Sequence, residues 1–192
     1  MVDVLDIDRP SEHASAVPTG VVTFLFTDIE GSTRILARLG HAKAAGVFDA
    51  HDRLLADAFR RNRGIEVRTE GDSFFIAFER ASDAVAGALA ANRALAAYPW
   101  PHGGQVRIRI GMHTGEAAVI RSGYVGLAVH AAARLTRVAR GGQVLLSGTT
   151  RDLVVSGLSP RAELRDAGVR RLKDLDEPMR VFELVHPTLV QA

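Results

Sequence analysis

An apolar run that stops on a carboxylate constrains this chain more than any other feature. Val21-Val22-Thr23-Phe24-Leu25-Phe26 leads through Thr27 to Asp28, and Ile29-Glu30-Gly31-Ser32-Thr33 follows before a helical pattern begins. A strand that ends on an acid is a candidate metal site. The turn after it offers Gly31 for close backbone approach and the free N–H groups of a helix start, the arrangement that cradles phosphate. A second acid stands in Arg68-Thr69-Glu70-Gly71-Asp72-Ser73-Phe74-Phe75, where a glycine turn joins two strand-like runs. If that hairpin lies beside the first strand, Asp28 and Asp72 meet. Taken singly, Asp28 reads as an N-cap and Asp72 as a turn residue. As a pair they favour Mg²⁺ or Mn²⁺, with backbone carbonyl and substrate phosphates completing the shell.

The order of periodicities sets the fold class. Apolar positions Ala44, Val47, Phe48, His51, Leu54, Leu55, Ala58 and Phe59 recur at helical spacing, and a shorter helix broken at Gly40 precedes them. Glu66 to Thr69 and Ser73 to Phe78 form the hairpin around Gly71, and Ser82 is expected to cap an alanine-rich helix reaching Tyr98. Val106, Ile108 and Ile110 alternate with Arg107 and Arg109, the period of a half-buried strand. Ala117 to Ile120 is a further apolar run, and a helix from Ala128 to Val138 is expected to stop at Gly141-Gly142. Val144 to Leu146, a short helix from Thr149, and strands at Val169 to Leu172 and Val181 to Val185 complete the order. Such alternation with short connections predicts an α+β, or α/β, sandwich with a central, mostly antiparallel sheet.

At 192 residues the chain fits one domain. Residues 1–19 read as a flexible arm, 20–187 as the domain and 188–192 as a tail. No apolar run approaches a membrane span, and the acidic start lacks a basic leader, so a cytoplasmic protein without a membrane partner is expected. Cysteine is absent, which excludes disulfides and thiolate ligands. Of 24 basic residues only Lys43 and Lys173 are lysines. The net charge of +2 carries no basic stripe with interleaved aromatics, so nucleic acid is not an expected partner.

Five fragments in order, FTDIEGST, RTEGDSFF, RIRIGMHTGE, YVGLAVHAAARL and GGQVLLS, resemble the catalytic domain of class III nucleotide cyclases across Val21 to Val185. The resemblance implies a ferredoxin-like domain, a head-to-tail homodimer and active sites shared between two chains. It implies that Asp28, Asp72 and the carbonyl of Ile29 bind two divalent cations, Mg²⁺ or Mn²⁺, and that Glu30, Gly31, Ser32 and Thr33 hold phosphate. Arg109 and Lys173 correspond to triphosphate contacts. Arg134 corresponds to the arginine that stabilises charge on the transition-state phosphate.

The rest of the pattern departs from the family. His130 stands where an asparagine usually orients the ribose. It reads either as a replacement donor or as a helix histidine packed at the dimer interface. Arg68 replaces the lysine of the ATP-specific pattern, and Gly123 replaces its aspartate or threonine. Arginine donates to adenine N1 or guanine O6, while Gly123 offers no acceptor, so weak discrimination between ATP and GTP is expected. Glu70 is a candidate replacement acceptor or a solvated turn carboxylate. The expected activity is that of an adenylate cyclase, a lyase making 3′,5′-cyclic AMP and pyrophosphate from ATP. The alternative is a degenerate cyclase-homology domain that binds nucleotide or dimerises without turnover.

Overall fold

The computed structural model describes residues 17–121 and 123–189. Most of the expected arm and the last three residues of the expected tail lie outside the described residues. Inside them the chain is packed at both ends. Pro18 is buried and its carbonyl accepts the Tyr124 hydroxyl at 2.7 Å, and Leu189 joins the main core.

The elements in chain order are β1 (Val21–Ile29), α1 (Ser32–Leu39), α2 (His41–Arg61), β2 (Ile65–Glu70), β3 (Ser73–Phe78) and α3 (Ala81–Ala97). They continue with β4 (Ile108–Glu116), β5 (Ala118–Ile120), β6 (Gly123–Val125), α4 (Leu127–Val138), β7 (Val144–Ser147), α5 (Gly148–Val154), β8 (Glu163–Arg170) and β9 (Met179–Val185). Seven strands form one sheet in the order β2-β3-β1-β4-β7-β9-β8. Every pairing in it is antiparallel except β4 with β7. The half made by β2-β3-β1-β4 with two crossover helical segments is the ferredoxin-like β-α-β-β-α-β unit.

Both faces of the sheet are covered, which explains the nearly unbroken apolar run in β1. Leu25 and Ile29 join a core with α2, α3 and α5, where Phe59, Phe78, Ile108, Ile110 and Met112 are almost wholly buried. Val22 and Phe24 point the other way, onto Tyr124 and onto Ala128 and Ala132 of α4. The approach of α4 to the sheet is set by Gly111: a Cβ there would lie 2.2 Å from the Thr136 amide nitrogen and 2.6 Å from the Ala132 carbonyl oxygen. Any side chain at 111 would push α4 off β4.

Several local expectations are corrected. Ser82 lies inside α3, whose N-cap is Arg80 with no side-chain cap bond. The end of α4 is capped by Ala139, whose amide reaches the Leu135 and Thr136 carbonyls, and not by the glycine pair. The strand expected at Val169 to Leu172 begins six residues earlier, at Glu163. Its residues are mostly exposed, so no burial period marks it, and its pairing with β9 slips between Asp166 and Val169. The short hairpin of β5 and β6 stands apart from the main sheet.

Candidate active site

Antiparallel pairing fixes the acidic end of the sheet. In the β1–β3 register Phe26 faces Phe75, so the turn before Ser73 arrives at the end of β1. The Thr27 hydroxyl accepts the Phe74 amide at 3.2 Å, which ties the hairpin to β1. The Ser73 hydroxyl lies 3.4 Å from Asp28 Oδ1. The sheet thus brings Asp28 and the Gly71-Asp72 turn together, as the sequence predicts.

The two carboxylates differ in their partners. Asp28 Oδ2 is ion-paired with Arg109, its register partner on β4. Asp72 Oδ2 is buried without any hydrogen-bond partner. Such an oxygen costs desolvation energy with nothing to offset it, on the order of 1–3 kcal/mol or more for a charged group. A carboxylate left in that condition fits a cation as its missing partner. Among the described residues no three acidic, histidine or cysteine side chains converge.

Asp72 opens on a cavity of about 340 Å³ lined also by Ser32, Thr33, Leu36, Phe48, Asp52 and Gly71. The Gly31 carbonyl takes the Arg34 and Ile35 amides at 2.9 and 3.1 Å, while Ser32 and Thr33, the first two residues of α1, line the cavity, so part of the expected phosphate turn and the orphaned carboxylate share one space. Gly31, at φ 70°, starts this helix. In the same turn Glu30 Oε1 accepts the Gly141 amide at 2.9 Å, so its carboxylate straps the turn to the loop after α4. His51 lies fully buried beside this cavity, with Nδ1 2.8 Å from Asp52 Oδ1. Burial holds its imidazole below the ordinary pKa, while the Asp52 hydrogen bond and the Asp52 and Asp72 charges pull upward.

A second group sits on α4 and the loop after β8. Arg134 Nε donates to the Lys173 carbonyl at 3.0 Å, and Nη2 pairs with Asp174 Oδ2 at 2.5 Å. Arg134 and Lys173, far apart in sequence, are neighbours. His130, one turn earlier on α4, is exposed. Asp174 was missed by sequence reasoning, although it directly follows Lys173 and is a carboxylate with φ 62°.

A third group surrounds the β2–β3 hairpin. Arg68 lines a cavity of about 290 Å³ with Glu70, Phe26, Phe75, Ile120 and Tyr124. Phe26 and Phe75 stack with centroids 4.3 Å apart and planes 9° from parallel. The sequence marked both only as strand residues, because pairing across two strands leaves no local signal. Gly123 is next to this cavity: it adopts φ 124°, and a Cβ on it would lie 2.6 Å from Val67 Cγ1.

Residues 15–179 match the family model described as the adenylate and guanylate cyclase catalytic domain. An uncharacterised protein of Mycobacterium tuberculosis is 41% identical over 175 residues, covering 90% of this chain and 58% of the relative. This chain therefore spans little more than half the length of that mycobacterial relative. An adenylate cyclase of Lachancea kluyveri is 32% identical over 157 residues, covering 69% of this chain and 8% of that protein. Among solved structures, an adenylate cyclase from Trypanosoma brucei in its monomeric state superposes with a TM-score of 0.77 at 27% identity, covering 89% of this chain and 92% of that one. Among the described residues no helix is long and apolar enough to cross a membrane.

Proposed function

Because the chain belongs to the family of class III adenylate and guanylate cyclase catalytic domains, we propose that it converts ATP to 3′,5′-cyclic AMP and pyrophosphate, with weak discrimination against GTP. The observation that carries this reading is the buried, partnerless Asp72 Oδ2 at the cavity shared with the start of α1.

In this reading Asp28, Asp72 and the Ile29 carbonyl hold two divalent cations, Mg²⁺ or Mn²⁺. Bound there, the ions would acidify the ribose 3′-hydroxyl and neutralise the triphosphate. The chain's own groups do the rest. The amides and hydroxyls of Gly31, Ser32 and Thr33 bind phosphate oxygens, and Arg109 leaves Asp28 to meet the triphosphate. The 3′-hydroxyl releases its proton to solvent, its oxygen forms a bond to the α-phosphorus while the bond from that phosphorus to the bridging oxygen breaks, and pyrophosphate leaves with the bridging oxygen. Arg134 stabilises the charge that develops on the α-phosphate. Lys173 holds the outer phosphates, His130 donates to the ribose, and Arg68 donates to the base.

Asp28 with Asp72 and Arg134 with Lys173 form separate groups on one chain. That grouping supports a head-to-tail homodimer in which one protomer supplies Asp28, Asp72 and Arg109 and its partner supplies Arg134 and Lys173.

The test is incubation of purified protein with ATP or GTP and Mg²⁺ or Mn²⁺, with chromatographic detection of cyclic product, beside Asp72→Ala and Arg134→Ala. Product from the wild type and none from either variant supports the assignment. No product from either nucleotide sinks it in favour of a non-catalytic module that binds nucleotide or dimerises.

A further inference from the structure

We propose that Glu70 is the hydrogen-bond acceptor that reads the purine ring, in the place Gly123 cannot fill, and that by accepting from guanine as well as adenine it is what keeps discrimination against GTP weak. This rests on the nucleotide-binding reading of the site and adds the residue that admits both bases.

Arg68 and Glu70 lie two apart on β2 and line the same cavity. Same-face neighbours on a strand are roughly 7 Å apart. Among the described residues neither the Arg68 guanidinium nor the Glu70 carboxylate takes part in an ion pair. Thr69 and Glu66, by contrast, satisfy each other at 2.7 Å. A free donor and a free acceptor side by side, in a cavity also lined by the stacked Phe26 and Phe75, match a flat ring that carries both functions on one edge.

The purines differ in what that edge offers. Adenine presents one acceptor, N1, and one amino donor, N6. Guanine presents the acceptor O6 and two adjacent donors, N1–H and the N2 amino group. Arg68 can donate to N1 of adenine or O6 of guanine. A carboxylate accepts one hydrogen bond from adenine but two, side by side, from guanine. Glu70 therefore serves both bases and serves guanine better.

Position 123 offers no competing acceptor. Its φ of 124° and the 2.6 Å approach of Val67 Cγ1 to a built Cβ leave no room for a side chain in this backbone. Among the described residues the cavity has one carboxylate in its lining, and that is Glu70.

The test uses the full chain in an Arg134→Ala background, chosen to hold nucleotide without turnover, with GTP and ATP titrated calorimetrically in the presence of Mg²⁺. Adding Glu70→Ala should weaken GTP about tenfold, the worth of a lost hydrogen bond to a charged group, and weaken ATP less. Glu70→Gln, with one acceptor oxygen kept, should fall between. Matching thermal melts would establish that the variants fold alike. An unchanged ratio of GTP to ATP affinity in Glu70→Ala, or equal weakening of both, overturns the proposal. If the wild type makes no cyclic product while the ratio still shifts, the cyclase reading falls and the purine contact stands.

Discussion

Asp28 and Arg109 face each other across the β1–β4 ladder and are joined by an ion pair, so one of the two acidic groups at the candidate metal site already has a cationic partner. A divalent ion and the guanidinium compete for the same carboxylate. Arg109→Gln should therefore lower the Mn²⁺ concentration needed for half-maximal activity by several-fold, while raising the KM for nucleotide about tenfold through the lost phosphate contact. Metal titrations at saturating nucleotide and nucleotide titrations at saturating metal separate the two effects. A variant that needs more metal would contradict the competition.

Asp72 should show the opposite signs in stability and activity. Its Oδ2 is buried and unsatisfied, so Asp72→Ala removes a desolvation cost. We expect metal-free protein to melt at the same temperature or higher, by up to about 1–3 kcal/mol of stability, with turnover reduced at least about 100-fold. Denaturant unfolding in a chelator, beside the cyclisation assay, checks both halves.

Gly123→Asp, the substitution that restores the family's usual acceptor, should fail for a conformational reason. The residue combines a left-handed φ with a blocked Cβ direction. A loss of about 1–3 kcal/mol is expected. Adding Val67→Ala should recover the steric part and leave the backbone part. Full additivity of the two substitutions would show that Val67 is not the obstacle.

Stability should fall as pH drops below about 6.5. Burial lowers the His113 pKa, and its Nδ1 lies 2.8 Å from the Ser147 hydroxyl. Below the unfolded-state value of about 6.5 the unfolded chain takes up a proton that the folded chain resists. The contribution is complete above that value and is lost progressively as pH falls toward the lowered folded value. His113→Asn should flatten the slope by at most about 1.4 kcal/mol per pH unit, measured by urea unfolding from pH 7.5 to 5.

What the sequence disclosed and what it hid follow from the range of the interactions. Apolar period and glycine turns are local, so β1, the β2–β3 hairpin, the break at Gly40 and the helix carrying Arg134 are legible. The arrival of the Gly71-Asp72 turn at the end of β1, beside Asp28, follows once the hairpin pairs with that strand. Side-chain partners are not local. That Glu30 would turn to Gly141, that Arg109 would pair with Asp28, or that Arg134 would find Asp174 depends on which elements become neighbours. Glu70 is ambiguous for the same reason: whether a turn carboxylate is solvated or part of a cavity wall is decided by Phe26 and Tyr124, contributed from other strands. The start of β8 escaped detection because its exposed residues obey no burial rhythm.

The contact at Gly111 has a mechanical consequence. Backbone resting on backbone leaves α4 no play over β4, because nothing compressible lies between them. His130 and Arg134 therefore travel with the sheet as one stiff body and cannot be shifted toward or away from Asp28 of the same chain by small repackings. In a dimer of such bodies the adjustable coordinate is the angle between them. In such a dimer a stimulus would have to work as a wrench on two rigid halves.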